Sequence, residues 1–211
     1  MKRNDVHKAI ILARGLGTRM RKSDASAQLD AKQSAAADAG MKGMIPIRRP
    51  FLDYILSALA DAGFRRACLV VGPEHHEIRT YYAWLDPGRL EIDFAMQQEP
   101  LGTADAVLAA ETFADGDPFL MVNSDNYYPP ETCRLLRTGP APAVALFDRD
   151  AMLAHSNIPA ERIERFAIGE VAADGTLSRV IEKPDAAALA KFVTIQLSMN
   201  LWLFDATIFE A

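Results

Sequence analysis

The sequence predicts a mixed α/β fold in which a mostly parallel mixed sheet is flanked by helices. From residue 9 to residue 122, short apolar segments of strand type alternate with segments of helical spacing. Such alternation is typical of a parallel sheet whose strands are joined by crossover helices. After Val144 the pattern changes, because two β-rich segments flank the turn-rich residues 173–176 and predict a β-hairpin. The second half of the chain is therefore predicted to be rich in hairpin strands.

The individual elements follow from apolar spacing and from the turn or cap residues that bound them. Strands are predicted over residues 9–13, 67–71, 90–96, 119–122, 163–172, 177–181 and 194–204. Helices are predicted over residues 50–62, 74–84 and 103–113. Gly63 ends the first of these helices, and Thr103 is a cap residue at the start of the third. Because ligands of open α/β sheets bind at the carboxyl ends of the strands, the loops after these strands are the first places to search for a site.

The composition is that of one globular domain over residues 1–211. Of the 211 residues, 50% are hydrophobic and 24% are charged, which allows a sizeable core. Residues 23–40 are rich in Ala, Ser, Asp and Gln, and Leu29 is their one large aliphatic residue. Since such a segment offers little to a core, we interpret residues 23–40 as a mobile insertion.

Charge, cysteines and hydropathy exclude several classes of function. A net charge of −5 disfavours a nucleic acid as partner, so any nucleotide bound is expected to be a small molecule. Cys68 and Cys133 are too few for a disulfide framework and lack the paired spacing of a zinc site, which fits the reducing cytoplasm. The apolar run over residues 9–13 is too short for a signal peptide or a membrane span. A cytoplasmic protein without a membrane partner is expected, and a homo-oligomer is left open.

The strongest local signal is the string Ala-Arg-Gly-Leu-Gly-Thr-Arg-Met at residues 13–20, directly after the first predicted strand. Gly15 and Gly17 would let backbone N–H groups approach a triphosphate, and Arg19 would supply a fork of donors to its oxygens. Two glycines alone fit a plain turn between strand and helix better, because glycine is the commonest turn residue. The other residues of the string are needed to decide between these interpretations.

The whole string resembles the signature of the sugar-phosphate nucleotidylyltransferase family, which runs approximately LAxGxGTRM. The family then has a lysine before a Pro-[Ile/Val] pair, and this chain has Lys42 before Pro46 and Ile47. The resemblance implies a Rossmann-like (GT-A-like) fold. It also implies transfer of a nucleoside monophosphate from a nucleoside triphosphate to a sugar 1-phosphate or a similar phosphorylated small molecule, with release of pyrophosphate.

The same resemblance implies a role for each matched residue. It assigns catalysis to Arg19, Lys42 and Asp125, with Asp125 as the ligand of a Mg²⁺ cofactor. It assigns nucleotide binding to Ala13, Gly15, Leu16, Gly17, Thr18, Gln97, Gly102 and Thr103. It assigns binding of the sugar phosphate, in the hairpin-rich half, to Glu182, Lys183, Ser198 and Asn200.

Three of these motifs also have a structural interpretation. Gln97 can offer a donor and an acceptor to a base edge, and Gly102 permits close approach of a flat base, yet Pro-Leu-Gly-Thr at 100–103 alone is a helix entry. Asp125 follows a predicted strand, but an isolated Asp there would ordinarily belong to a turn or a cap. Glu182 and Lys183 could form a surface ion pair. The order of the motifs along the chain favours the functional interpretation.

The chain also departs from the family pattern. Arg14 stands where the family usually has Ala or Gly, which adds positive charge and bulk at the phosphate loop. The segment between Arg19 and Lys42 is longer than usual, and Asn200 replaces a usual Gly. The family's second metal-binding aspartate lies beyond the strand matched by residues 201–204, so we expect this chain to lack the family's C-terminal portion.

Rival functions remain. A GT-A glycosyltransferase would normally show Asp-x-Asp, whereas Ser124 here lies between Asn123 and Asp125. A regulatory homologue that binds a nucleotide or sugar phosphate without catalysis is a second alternative. A dehydrogenase is disfavoured, because the glycine loop lacks the third glycine of GxGxxG. His75 and His76 are adjacent without further ligands at metal spacing, and we interpret them as surface residues near a helix start.

Overall fold

The computed structural model describes residues 5–15, 42–85 and 88–210. The chain forms two compact units, Met1–Ala143 with Trp202–Ala211, and Val144–Leu201. The prediction of a single domain over 1–211 is not tested by this division and stays a prediction. The predicted insertion at 23–40 lies outside the described residues.

The first unit is built on a parallel sheet. Its strands are β1 (Lys8–Leu12), β2 (Arg66–Val71), β3 (Glu91–Met96) and β4 (Phe119–Asn123), in the spatial order β3-β2-β1-β4. β1 is parallel to both neighbours, with Leu12 opposite Val70 on one side and Asn123 on the other. The end of a later strand, β8 (Gln196–Phe204), pairs antiparallel with β4, with Trp202 opposite Met121. The register places the carboxyl ends of β1, β2, β3 and β4 along one edge of this sheet.

Among the described residues, five helices accompany this sheet: α1 (Phe51–Ala62), α2 (His76–Trp84), α3 (Thr103–Leu108), α4 (Glu111–Ala114) and α5 (Pro130–Arg137). Single 3-10 turns occur at Lys42–Met44 and Ala206–Glu210. α1 ends where the sequence predicts, because Gly63 takes the left-handed conformation (φ 98°) and donates its N–H to Ala60 O at 3.0 Å. Within the described residues, no helix has the length and apolarity needed to cross a membrane.

The core of the first unit packs sheet residues against α3 and α4. Its members are aliphatic and aromatic residues with almost no exposure, among them Ile10, Val70, Phe119, Ala106 and Val107. The strand pattern explains this burial, since β1 and β2 are apolar on both faces, as expected for a covered parallel sheet. A rigid sheet of this kind fixes the loops at its edge.

The second unit contains β5 (Ala143–Asp148), α6 (Arg149–His155), α7 (Ala160–Ile163), β6 (Ala167–Val171), β7 (Leu177–Ile181), α8 (Ala186–Leu189) and the first part of β8. β6 and β7 form the predicted antiparallel hairpin, and Gly175 has φ 85° in its turn. β6 also pairs with β8. A separate small core of Ile163, Ile168, Ile195 and Leu197 supports this unit.

The predicted fold class is confirmed, with differences in single elements. The helix predicted at 103–113 is interrupted at Ala109 and Ala110, which separate α3 from α4. The strand predicted at 163–172 is wrong in its first part, because Ile163 ends α7, which begins after Pro159 and buries Ile163 in the core of the second unit. The sequence reasoning assigned no element to α5, β5 or α6.

Candidate active site

A cavity of about 330 Å³ opens where the strands β1, β3 and β4 end. Six residues that sequence reasoning assigned to the nucleotide or the metal line it: Ala13, Gly15, Gln97, Gly102, Thr103 and Asp125. They come from three motifs far apart in the chain, which the parallel register brings to one edge of the sheet. The cavity is therefore the candidate site for a nucleotide.

The glycine loop leaves β1 at this edge. The Ala13 N–H donates to Val70 O at 2.9 Å, which continues the ladder one residue beyond β1. Gly15 is exposed, and a Cβ placed on it would have nothing within 4 Å, so the backbone there is open to a ligand. Leu16, Gly17, Thr18 and Arg19 lie outside the described residues, and their roles stay predictions.

Asp125 lies two residues beyond β4 and lines the cavity with an exposed side chain. The preceding Ser124 is anchored, because its N–H donates to Leu12 O at 3.1 Å and its side chain is buried. The turn Lys42–Met44 packs against Ser124, since a Cβ on the buried Gly43 would lie 3.4 Å from Ser124 Cβ. This contact brings the backbone next to Lys42 close to the end of β4. The Lys42 side chain lies outside the described part.

Gln97 is held at the base of the cavity. It lies directly after β3, is 4% exposed, and donates its backbone N–H to Val71 O at 2.9 Å. Its side-chain Nε2 donates to Gly102 O at 3.1 Å and to Asp105 Oδ2 at 2.7 Å. Both amide hydrogens are therefore used inside the protein, and Asp105 is a partner that sequence reasoning missed.

The segment after Gln97 enters α3 through Gly102 rather than through a side-chain cap. Gly102 has φ 111° and occupies the cap position, and Thr103 is the first, exposed residue of α3. The cap has no side-chain hydrogen bond, so Thr103 as a cap residue is wrong. A φ of 111° strongly favours glycine, which explains the residue type without any ligand.

Arg14 takes part in an ion pair that sequence reasoning did not anticipate. Its Nε donates to Glu74 Oε1 at 3.1 Å and its Nη2 to Glu74 Oε2 at 3.4 Å, while Nη1 donates to the backbone carbonyl of Gln97 at 2.6 Å. The Arg14 side chain is 8% exposed and lines the cavity. Arg14 thus brings its charge and bulk to this loop, and the structure adds that the charge is paired with Glu74.

The electrostatics of Glu74 fit this pairing. Desolvation acts to raise the pKa of Glu74, but hydrogen bonds from its own backbone N–H and from Arg14 outweigh it and hold the pKa below its ordinary value. The neighbouring His75 is 4% exposed, and its Nδ1 accepts the Gly72 N–H at 3.2 Å. The interpretation of His75 as a surface residue is therefore wrong, because its side chain is buried. Its bond to the Gly72 N–H stabilises the turn that carries Glu74.

The four residues assigned to the sugar phosphate all belong to the second unit. Glu182 and Lys183 follow β7 with exposed side chains, and Ser198 is buried in β8 opposite Ala167. Lys183 (φ 47°) and Asn200 (φ 61°) both hold the left-handed conformation. Asn tolerates this region better than most residues, so the position where the family usually has Gly keeps a compatible residue. The binding roles of all four stay predictions.

Among the described residues, no group of three or more His, Cys, Asp or Glu could hold a metal ion. Mg²⁺ commonly binds through one or two carboxylates and takes its remaining ligands from substrate phosphates and water. The exposed Asp125 carboxylate in the cavity fits that mode.

The sheet order, the glycine loop and the cavity at the strand ends define an α/β protein of the Rossmann-like (GT-A-like) class. The chain belongs to the nucleotidyl transferase family, whose model matches residues 8–211. It is 32% identical over 180 residues to a glucose-1-phosphate thymidylyltransferase of Streptomyces antibioticus, covering 84% of this chain and 45% of that protein. It is 31% identical over 121 residues to the D-glycero-alpha-D-manno-heptose 1-phosphate guanylyltransferase of Aneurinibacillus thermoaerophilus, covering 57% and 46%.

The chain spans about half the length of the curated relatives it matches. Two solved structures share the fold at low identity. A UDP-glucose pyrophosphorylase complexed with UDP-glucose matches with a TM-score of 0.70 at 16% identity, covering 97% of this chain and 78% of the other. HddC of Yersinia pseudotuberculosis complexed with GMP-PN matches with a TM-score of 0.68 at 20% identity, covering 97% and 79%. The predicted family and fold class are both confirmed.

Proposed function

We propose that this chain transfers a nucleoside monophosphate from a nucleoside triphosphate to a sugar 1-phosphate and releases pyrophosphate. The observation that carries the proposal is that the glycine loop, Gln97 with Gly102, and Asp125 all line one cavity. Family membership and the activities named for the two curated relatives support it. Each relative is named for the transfer of a nucleotide to a sugar 1-phosphate.

The nucleotide half of the reaction uses the first unit. The base contacts Gln97 and Gly102, and the triphosphate follows the loop that begins at Ala13 and Gly15, all of which line the cavity. Arg19 steadies the β- and γ-phosphates, and Lys42 neutralises charge near the α-phosphate. Hydrogen bonds anchor the strand ends that carry the cavity wall, at Ala13 after β1 and at Ser124 after β4. The nucleotide therefore binds a site that is preorganised.

The acceptor half uses residues of the second unit. Glu182 accepts hydrogen bonds from sugar hydroxyls, Lys183 pairs with the acceptor phosphate, and Ser198 and Asn200 complete the sugar contacts. Strained backbone is frequent at functional sites, and Lys183 and Asn200 both hold a positive φ.

The chemical step needs positioning more than proton transfer. An ionised oxygen of the acceptor phosphate forms a bond to the α-phosphorus, the bond from that phosphorus to the bridging oxygen breaks, and pyrophosphate leaves with the electron pair. Because the nucleophile is already ionised, no general base is required. Asp125 would hold a Mg²⁺ ion, which would neutralise charge that develops on these oxygens.

The test is a pyrophosphate-release assay with Mg²⁺, a panel of nucleoside triphosphates and a panel of sugar 1-phosphates. Asp125→Asn and Arg19→Ala are expected to lower kcat/KM by at least ~100-fold, the scale seen when one charge-stabilising group of an active site is removed. Arg89→Ala is the matched control, because Arg89 forms an exposed ion pair with Asp61 and does not line the cavity.

Two results would overturn the proposal. The first is the absence of turnover across the full panel, with nucleotide binding intact, which would favour a binding protein without catalysis. The second is release of a nucleoside diphosphate from a nucleotide sugar, which would make the chain a glycosyltransferase. Unchanged turnover in Asp125→Asn would remove Asp125 from the metal site while leaving the reaction itself standing.

A further inference from the structure

The side-chain amide of Gln97 is fixed in one orientation. A carboxylate and a backbone carbonyl can only accept hydrogen bonds, so Asp105 Oδ2 and Gly102 O both require the nitrogen of the amide to face them. Since the two bonds use both amide hydrogens, Oε1 is the Gln97 side-chain atom left for a ligand. In this setting Gln97 can accept a hydrogen bond from a base but cannot donate one.

The guanidinium of Arg14 supplies the complementary donors. An arginine has five N–H groups, and the three bonds of Arg14 to Glu74 and to the Gln97 carbonyl use three of them. Both Arg14 and Gln97 line the cavity. The remaining N–H groups belong to Nη1 and Nη2, next to the Gln97 backbone that Nη1 already contacts. Two residues that line the cavity and contact each other through the Nη1 bond thus have, respectively, donors and an acceptor to spare.

The position of Arg14 is set by three strand ends. Arg14 follows β1, Gly72 and Glu74 follow β2, and Gln97 follows β3. A Cβ on Gly72 would lie 2.5 Å from Arg14 Nε and would overlap both carboxylate oxygens of Glu74, so the ion pair packs directly on the glycine backbone. Arg79 also stabilises this turn, because its Nη1 donates to Gly72 O at 2.9 Å. The guanidinium is thus fixed rather than free to follow a phosphate.

We propose that Arg14, held by Glu74, and the amide of Gln97, held by Asp105, form a base-selecting pair that admits nucleobases with a ring N–H beside a carbonyl oxygen. Guanine, uracil and thymine have this pattern. Gln97 Oε1 accepts from the ring N–H, and an N–H of Arg14 donates to the neighbouring carbonyl oxygen. This inference rests on the proposed function to the extent that the cavity binds the base of the triphosphate.

Adenine and cytosine present the reverse pattern, an amino group beside a ring nitrogen that can only accept. The ribose and phosphates fix how the base enters, so the order of donor and acceptor matters. With these bases a lone pair would face Gln97 Oε1 and an amino group would face Arg14. Both polar pairs would be unmatched in a buried place, which is the situation in which hydrogen-bonding sites discriminate most strongly.

The experiment is calorimetric titration of the full chain with GTP, UTP, dTTP, ATP and CTP, and with inorganic tripolyphosphate as a probe without a base. We expect at least one of GTP, UTP and dTTP to bind on the order of 100-fold more tightly than ATP and CTP. In Arg14→Ala and in Asp105→Asn that ratio should fall below ~10-fold, since the first variant removes the donor and the second removes the carboxylate that fixes the orientation of the Gln97 amide. Tripolyphosphate affinity should stay within about twofold of wild type, because a paired Arg14 does not bind the phosphates.

Glu74→Gln is a second route to the same result should Arg14→Ala fail to fold, since it keeps the size of the side chain and removes the charge that holds Arg14. Arg89→Ala, which breaks the exposed ion pair with Asp61, should leave the ratio unchanged. Tightest binding of ATP or CTP by wild type would overturn the proposal. A loss of tripolyphosphate affinity in Arg14→Ala would also overturn it, because Arg14 would then be a phosphate ligand.

Failure of this inference is distinguishable from failure of the proposed function. Turnover with ATP or CTP as donor would refute base selection and leave nucleotidyl transfer standing. Selective binding of GTP, UTP or dTTP without turnover on any sugar 1-phosphate would refute nucleotidyl transfer and leave the base-selecting pair standing.

Discussion

Gly72→Ala is the sharpest steric test of the arrangement around Arg14, because it removes no functional group. Gly72 is not among the residues with a positive φ, so alanine is compatible with the backbone there. The added Cβ would overlap the Glu74 carboxylate and lie 2.5 Å from Arg14 Nε. The ends of both side chains are flexible and would move apart. The ion pair, and with it the placement of the guanidinium, would be lost while every side chain of the site is retained.

The expected magnitude follows from the bonds that depend on this placement. Arg14 bonds the Gln97 carbonyl at 2.6 Å from a side chain that is 8% exposed, and hydrogen bonds of charged groups in such surroundings contribute ~1.5–3 kcal/mol. If a base contact of that strength is lost, nucleotide affinity falls by roughly 10- to 150-fold. The stability cost should be of the same size, ~1.5–3 kcal/mol, because the bond of Arg14 to the Gln97 carbonyl is lost, while the ion pair to the 47% exposed Glu74 adds little.

Nucleotide affinity is measured by calorimetry and the free energy of unfolding by urea denaturation. Gly139→Ala is the control for the exchange of glycine for alanine: its Cβ would lie 3.3 Å from the Leu135 carbonyl, a milder crowding that does not involve the cavity. Wild-type affinity and base preference in Gly72→Ala would refute the packing argument. A loss of stability beyond about 5 kcal/mol would show instead that the turn at Gly72 is structural, with affinity lost through unfolding.

Three other measurements test the two buried thiols, the bond between Tyr82 and Asp53, and the titration of Glu74. Burial raises the pKa of the Cys68 and Cys133 thiols to about 12, so at pH 8 DTNB should label neither cysteine until the protein is denatured. Tyr82→Phe removes the 2.6 Å bond to the buried Asp53 carboxylate, and the free energy of unfolding in urea should fall by ~1.5–3 kcal/mol. The pKa of Glu74 lies below its ordinary 4.5, so its ion pair is complete above that pH and is lost as pH falls through the lowered value. Base preference in calorimetry should therefore be constant from pH 8 to about 5.

Each of these outcomes has a contrary one. Rapid labelling of either thiol in the folded protein would show that its surroundings open on the time scale of the reaction. Tyr81→Phe is the matched control for Asp53, because Tyr81 donates to it at 3.1 Å from an exposed ring and should cost less than Tyr82→Phe. Equal losses in the two variants would contradict the importance of burial. A preference that changes between pH 8 and about 5 would point to a group other than Glu74.

The strands of the first unit could be predicted because their burial leaves a direct trace in the sequence. β1 and β2 are almost entirely buried, so they are runs of apolar residues that end at Gly or polar positions. α5 escaped notice because its buried face is small, with Cys133 as its one buried residue. The break between α3 and α4 could not be predicted, because Ala109 and Ala110 both have high helix propensity. Their backbone conformation follows from packing in the core instead.

The candidate site could be predicted where its residues lie in contiguous motifs. Ala13, Gly15, Gln97 and Asp125 were found in this way, and all of them line one cavity. Glu74 could not be found, because nothing in the local sequence distinguishes it from a helix-start carboxylate. Its partner Arg14 is 60 residues away, and the pairing exists because β1 and β2 are neighbours in register.

The charge of Arg14 illustrates why the register matters for function. From the glycine loop alone, a cation at this position would be expected to bind the triphosphate, because unpaired positive charge is strongly attracted to phosphates. Glu74 at 3.1 Å cancels most of that field beyond the immediate contact, which leaves directional N–H groups as what Arg14 offers a ligand. Directional donors next to Gln97 act on the edge of a base, where donor and acceptor patterns differ, rather than on phosphates, which are the same in every nucleotide. An arginine where the family usually has Ala or Gly therefore changes which nucleotide is bound more than how strongly phosphate is held.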